Sequence, residues 1–171
     1  MAIVIGQLSP DDWPKYREIR LQALQTSPTS FASTYDECVV YPDEYWRSQL
    51  EKSKRKEELL VLCALDQEKV VGMIVLQWHN KSIVKHVTEI HGVYVTSSYR
   101  GQGVGKLLLD AVIAAAKQDL HCTKVKLGVN AENTKALKLY TSYGFKVVGK
   151  HERELRYGSV YCDELLLEKR L

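Results

Sequence analysis

The chain has 171 residues, enough for one domain around one sizeable core, and its 45% hydrophobic and 26% charged content is that of an ordinary globular protein. Lys and Arg number 24 against 21 Asp and Glu, and this net charge of +3 is too balanced for a nucleic-acid surface. No run approaches the roughly 18 apolar residues of a membrane span. The four cysteines, at 38, 63, 122 and 162, contain no Cys-x-x-Cys pair, which argues against a zinc ribbon and a dithiol redox site.

The N-terminus lacks the basic region and long apolar core of a signal peptide, and Ala2 to Gln7 reads as a strand. With reduced thiols as the default, the expected location is cytoplasmic. Ser9 or Asp11 can cap a helix that tolerates Pro14 in its first turn and stops at Ser27-Pro28. Thr29 to Tyr41 reads as loop, and a short helix runs from Asp43 to about Lys52. The basic run Lys52 to Lys56, followed by Glu57-Glu58, reads as a solvated helix end. Strands follow at Leu59 to Leu65, Val70 to Trp78 and Ile83 to Thr96. A helix over 103–119 carries Val104, Leu107, Leu108, Ala111, Val112 and Ala115 on one face of a 3.6-residue period. Strand 124–129, helix 134–142 and strands near 145–154 and 159–169, turning at Tyr157-Gly158-Ser159, complete the chain. The order β-α-α-β-β-β-α-β-α-β-β predicts an α/β fold with a mixed sheet flanked by helices, as one domain over 1–171.

Arg100-Gly101-Gln102-Gly103-Val104-Gly105 carries the most information. It leads from a strand into a helix N-terminus, where unpaired N–H groups and the helix dipole form an anion cradle, and glycines let a phosphate approach the backbone. It is not a Walker loop, since Leu107 follows Lys106 where a magnesium-binding hydroxyl is needed. Nor does its Gly-x-Gly-x-Gly spacing fit a dinucleotide fingerprint. An ATP binder is thereby disfavoured. The pattern that fits is Arg-x-x-Gly-x-Gly. A second stretch, Asn133 to Phe145, reads N-x-x-A-x-x-x-Y-x-x-x-G-F, with Asn133 as N-cap and Gly144 ending the helix.

These two motifs, in this order with a strand between them, resemble the GNAT superfamily of N-acetyltransferases. The likeness is close over roughly residues 59 to 150. It implies a GNAT-like mixed sheet, acetyl-CoA as cosubstrate, no metal, and direct attack of a bound amine on the thioester. It assigns coenzyme contact to Val93, Tyr94 and Val95 on the splaying strand, to Arg100, Gly101, Gln102, Gly103, Val104, Gly105 and Lys106 in the turn, and to Asn133 and Tyr140. Tyr140 is the implied general acid for the departing thiolate, and a backbone N–H of Val93 or Val95 the oxyanion donor.

A lysine-type amine has a pKa of about 10.4 and must lose a proton before it attacks. Glu89, a carboxylate in an apolar strand, and His91 two residues on are the candidate bases. Strict alternation would put Glu89, His91, Val93 and Val95 on one face, with Gly92 marking a bulge or close approach. At Leu127-Gly128-Val129 the sequence departs from the branch that acetylates ribosomal-protein N-termini, which carries a glutamate where Gly128 stands. Gly128 is expected instead to leave space beside the acetyl group. Residues 17–45 should form the acceptor wall, with Tyr16, Phe31, Tyr35, Tyr41, Tyr45 and Trp46 as core or pocket lining. The acceptor is a small-molecule or protein amine. The oligomeric state is not legible, a dimer being compatible with the sequence. The rival reading is a non-catalytic acyl-CoA-binding sensor or interaction domain of the same fold, which keeps Arg100, Gly103 and Gly105 but does not need Tyr140.

Overall fold

The computed structural model describes residues 2–171. Seven strands form one mixed sheet: β1 (Ile3–Gly6), β2 (Leu59–Asp66), β3 (Lys69–Trp78), β4 (Val87–Val95), β5 (Lys124–Asn130), β6 (Lys146–Tyr157) and β7 (Val160–Arg170), in the spatial order β1-β2-β3-β4-β5-β7-β6. On one face lie helices α1 (Trp13–Thr26), α2 (Tyr35–Val39) and α3 (Asp43–Arg55). Helices α4 (Val104–Ala114) and α5 (Thr134–Ser142) cover the other. The expected α/β architecture is the observed one, with one helix more than anticipated.

That helix, α2, lies inside the stretch expected to be loop. Thr34 Oγ1 accepts the Glu37 N–H at 3.3 Å, and Glu37 Oε2 accepts the Thr34 N–H at 2.8 Å. This capping box nucleates a turn too short to show a hydrophobic period. Two other boundaries also move. Strand β4 begins at Val87 rather than Ile83, because Lys81 to Val87 closes into turns through Val84 N–H to Lys81 O (3.0 Å) and Val87 N–H to Val84 O (2.9 Å). Helix α4 is regular only to Ala114, and Ala115–Asp119 continues as one wider turn.

The sheet divides two cores. Ile74, Leu76, Ile90, Val125 and Leu127 pack with Leu108, Leu109 and Val112 of α4. Val61, Cys63 and Met73 pack with Ile19 and Leu24 of α1 and Trp46 and Leu50 of α3. Leu24, Leu50, Leu108 and Leu109 are at most 2% exposed, and each contributes about 1.5–3 kcal/mol of burial. These two cores hold the strands rigidly up to the point where the sheet opens.

The opening is between β4 and β5. These parallel strands pair only over Val87↔Lys124, Thr88↔Val125 and Glu89↔Lys126, and beyond Glu89 they diverge. On its other edge β4 carries a bulge. Met73 pairs with Tyr94 and Val75 with His91, so Gly92 and Val93 together oppose Ile74. Gly92 has φ +60°, a conformation that a side chain disfavours. The extra residue breaks the alternation expected for this strand. Glu89, His91 and Tyr94 face α1, whereas Val93 and Val95 face the α4 core.

Candidate active site

Two cavities flank β4 near the point where the strands diverge, one reaching Val93 and the other Gly92. The larger, about 790 Å³, runs between the end of β4, the glycine turn and the N-terminus of α5. It is lined by Val93, Tyr94, Val95, Arg100, Gly101, Gly103, Val104, Gly105, Lys106 and Asn133, ten of the residues expected to contact the coenzyme. Gln102 is not among them, because its amide turns back to donate to Ser98 O at 2.7 Å. Tyr140 lies just behind the lining, 6% exposed, its ring edge-on to Phe145 at 6.0 Å. Thr26 to Phe31, inside the 17–45 stretch expected to wall the acceptor, forms the opposite wall of this cavity, and Asn130, Glu132, Lys135 and Leu139 were not expected in it. Loop residues carry no periodic signal, and only the closed fold brings Thr29 to Asn130, whose Nδ2 donates to Thr29 O at 3.1 Å.

The glycine turn is built as a cradle. Gly101 and Gly103 have φ +77° and +84°, and Gly103 is the N-cap of α4. The first helical bond is donated by the Lys106 N–H to Gly103 O at 2.9 Å, so the amides of Val104 and Gly105 precede it and face the cavity region without a helical acceptor. A Cβ on Gly103 would meet no atom within 4 Å, whereas one on Gly105 would approach Leu139 Cδ2 at 3.3 Å. Gly103 is therefore favoured by its backbone conformation, whereas at Gly105 a Cβ would press on the end of the Leu139 side chain of α5. Arg100 braces the turn: its Nε donates to Val95 O at 2.8 Å, an Nη to Ser27 Oγ at 3.2 Å, and its guanidinium lies over the Tyr94 ring at 5.6 Å.

The smaller cavity, about 270 Å³, lies on the α1 side and is bounded by Arg20, Tyr45, Trp46, Gln77, His91 and Gly92, among others. Arg20 sits over the Phe31 ring at 4.8 Å and has no ion-pair partner among the described residues. Of the aromatic residues proposed as wall or core, Tyr16, Tyr41, Tyr45 and Trp46 border this cavity, and Phe31 borders the larger one.

Glu89 and His91 are brought together, Oε1 to Nε2 at 3.8 Å, but Glu89 is also bound to Lys126 Nζ at 2.7 Å. His91 is pressed below its ordinary pKa, first by the protein packed against its ring and then by the positive charges of Lys126 and Arg20; Glu89 and Glu164 oppose the shift. Its outer edge remains 46% exposed. Burial pushes the Tyr140 hydroxyl up to about 12. The space expected beside Gly128 is absent. The atoms nearest to a Cβ built there all belong to the Glu164 side chain, its Cδ at 2.8 Å, so a carboxylate from β7 fills the gap left on β5.

The family model for the Acetyltransferase (GNAT) family matches residues 13–145, the stretch that contains both cavities' principal walls. The chain belongs to the GNAT acetyltransferase family. With the family comes its enzyme class, and this GNAT protein is an N-acetyltransferase. An L-amino acid N-acetyltransferase of Escherichia coli (strain K12) is 25% identical over 162 residues, covering 94% of this chain and 93% of that protein. A GNAT-family acetyltransferase of Streptococcus pneumoniae superposes with a TM-score of 0.88 at 22% identity, over 99% of this chain and all of that one (100%). A Salmonella typhimurium protein solved with acetyl-CoA as its cofactor superposes with a TM-score of 0.84 at 18% identity, over 99% and 94% of the two chains.

Proposed function

We propose that this GNAT protein, as one domain over 1–171, transfers the acetyl group of acetyl-CoA directly to the primary amine of a small, carboxylate-bearing acceptor of the amino-acid class. The observation that carries the reading is the large cavity at the β4–β5 opening, with the α4 N-terminus at one end and Tyr140 behind its wall. The pyrophosphate of the coenzyme lies against the amides of Gly103 to Gly105, with Lys106 adding charge. The pantetheine arm follows Val93 and Val95 toward the opening, where a β4 backbone N–H receives the thioester oxygen.

The acceptor enters from the α1 side. Arg20, without a protein counter-ion on the smaller cavity, supplies a seat for a carboxylate. The similarity to an L-amino acid N-acetyltransferase supports the same class. His91, kept neutral at pH 7, accepts a proton from the bound ammonium, and Glu89, held by Lys126, positions the ring. The amine lone pair then attacks the carbonyl carbon, the C–S bond breaks as the amide forms, Tyr140 gives its proton to the departing sulfur, and the second proton lost by the nitrogen restores the Tyr140 phenol by way of solvent, while His91 releases the first to bulk water. Overall, one proton is released for each acetyl group transferred. The free thiols of Cys38, Cys63, Cys122 and Cys162 agree with a cytoplasmic setting.

The test is thiol release from acetyl-CoA across a panel of free amino acids, a diamine and short peptides, preceded by a thermal-shift comparison of coenzyme A with ATP. Coenzyme A at 100 times its Kd stabilises the fold by about 2.7 kcal/mol. Stabilisation by ATP alone, or no thiol release with any amine, refutes the reading.

A further inference from the structure

Beyond the last β4–β5 pair, Glu89↔Lys126, the next residues on the α1 face are His91 on one strand and Gly128 on the other. They face each other across the widening gap. Gly128 has no side chain, and the Glu164 carboxylate from β7 lies over it, in contact with the position a Cβ would take. Glu164 is strand-paired with Asn130, which lines the larger cavity, while His91 borders the smaller one. The carboxylate thus lies over the Gly128 position, on the side of the opening across from His91, without itself lining either cavity.

Its partners set it apart from the other acids of this face. Glu89 is neutralised by Lys126 at 2.7 Å and Glu168 by Lys124 at 2.9 Å. Among the described residues Glu164 has neither a lysine nor an arginine within ion-pair distance, and its one ion-pair neighbour there is His151 Nδ1 of β6 at 3.7 Å, which is cationic only when protonated. His91 and Glu89 of β4, Lys126 of β5, His151 and Tyr157 of β6 and Arg20 of α1 complete the charged and titratable surroundings of the opening. The side chain is 26% exposed, so its charge is partly desolvated without a fixed cation. A carboxylate left without a fixed cation is free to accept a charge-assisted hydrogen bond from an incoming ammonium group.

We infer that Glu164 is the counter-ion for the acceptor's ammonium group, holding the amine across the strand opening from His91. The assignment rests on the amine-acetylating reading above and adds its recognition element. Glu164 and Arg20 are then the two charges that read a zwitterion, with the nucleophilic nitrogen between Glu164 and His91. The proton still passes to His91. Glu164 sets the affinity and placement of the amine.

The experiment measures acceptor KM and kcat, with the fastest amine of the panel, together with acetyl-CoA Kd by calorimetry. The variants are Glu164→Gln, Glu164→Ala, the relocation pair Glu164→Ala with Gly128→Glu, and Glu168→Gln as a control carboxylate. Loss of a hydrogen bond to a charged group corresponds to a rise of roughly 10- to 100-fold in acceptor KM for Glu164→Gln. Acetyl-CoA Kd stays within twofold, and Glu168→Gln leaves KM at the wild-type value. Gly128 has no positive φ and its nearest obstacle is Glu164 itself, so the relocated glutamate returns a carboxylate to the same place and recovers most of the loss in Glu164→Ala. A Glu164→Gln KM within threefold of wild type overturns the assignment, as does a loss in Glu164→Ala that the relocated carboxylate leaves unchanged. If the unsubstituted protein turns over no amine, the acetyltransfer reading fails, and this assignment fails with it.

Discussion

Replacing Tyr140 by Phe removes one oxygen from a site whose surroundings define the expected loss. The ring is 6% exposed, packs edge-on against Phe145, and its hydroxyl makes no side-chain hydrogen bond among the described residues. Phenylalanine keeps the packing, so stability should change by less than about 1 kcal/mol. The catalytic effect depends on proton affinity. Tyr140 is pushed up to about 12 by burial, against about 8.5 for a free thiol, a mismatch of roughly 5 kcal/mol if the thiolate were in water. In the proposed reaction the sulfur leaves inside the larger cavity. Desolvation raises a thiol's proton affinity too, as it does for Cys63 in the core on the α1 side, so a sulfur leaving inside the cavity narrows that mismatch. Loss of the phenol proton lowers kcat roughly 10- to 1000-fold, the scale of general-acid catalysis. Acetyl-CoA affinity stays near wild type. Steady-state thiol release and calorimetry on the folded variant are the assay. Wild-type turnover refutes the acid assignment and leaves Tyr140 as a packing residue.

Gly103→Val forces a β-branched residue to φ +84°, costing about 1–2 kcal/mol of stability, and weakens acetyl-CoA binding further by crowding the cradle; calorimetry at matched stability separates the two losses. The base limb of the kcat/KM profile should fall below pH 6.5, because His91 is shifted down, and should disappear in His91→Gln. Since Glu164 raises and Arg20 lowers the His91 pKa, Glu164→Gln should move that limb to lower pH and Arg20→Gln to higher pH, as read from pH–rate profiles. Arg20→Gln should also raise KM roughly 10-fold or more for a free amino acid while sparing its carboxamide, a comparison of the two acceptors being the check.

The glycine turn and the Asn133–Phe145 element were legible because their chemistry is local. A positive-φ N-cap, a first helical turn with free amides and an Asn cap accepting the Ala136 N–H at 3.2 Å are each specified by a few consecutive residues. The hydrophobic period of α4 and the strand-like runs of β2 and β3 likewise read directly, since burial repeats with the backbone period. The short α2 did not, because five residues held by a capping box have too few turns to carry a period.

What tertiary structure alone decided lies around the β4–β5 opening. The sequence shows Gly92 as a possible bulge, but only pairing with β3 shows that the bulge turns Tyr94 with His91 toward α1 and leaves Val93 and Val95 facing α4. Gly128 reads as empty space, and it is filled by a carboxylate that is distant in sequence and delivered by the register of β7. Glu89 reads as a candidate base or a salt-bridged strand residue, and only the register shows it bound by Lys126 across the last parallel pair. Local motifs are determined by backbone torsions and capping over a few residues. Which charges meet, and which are left unpaired for a substrate, depends on strand order and register, which no short segment specifies.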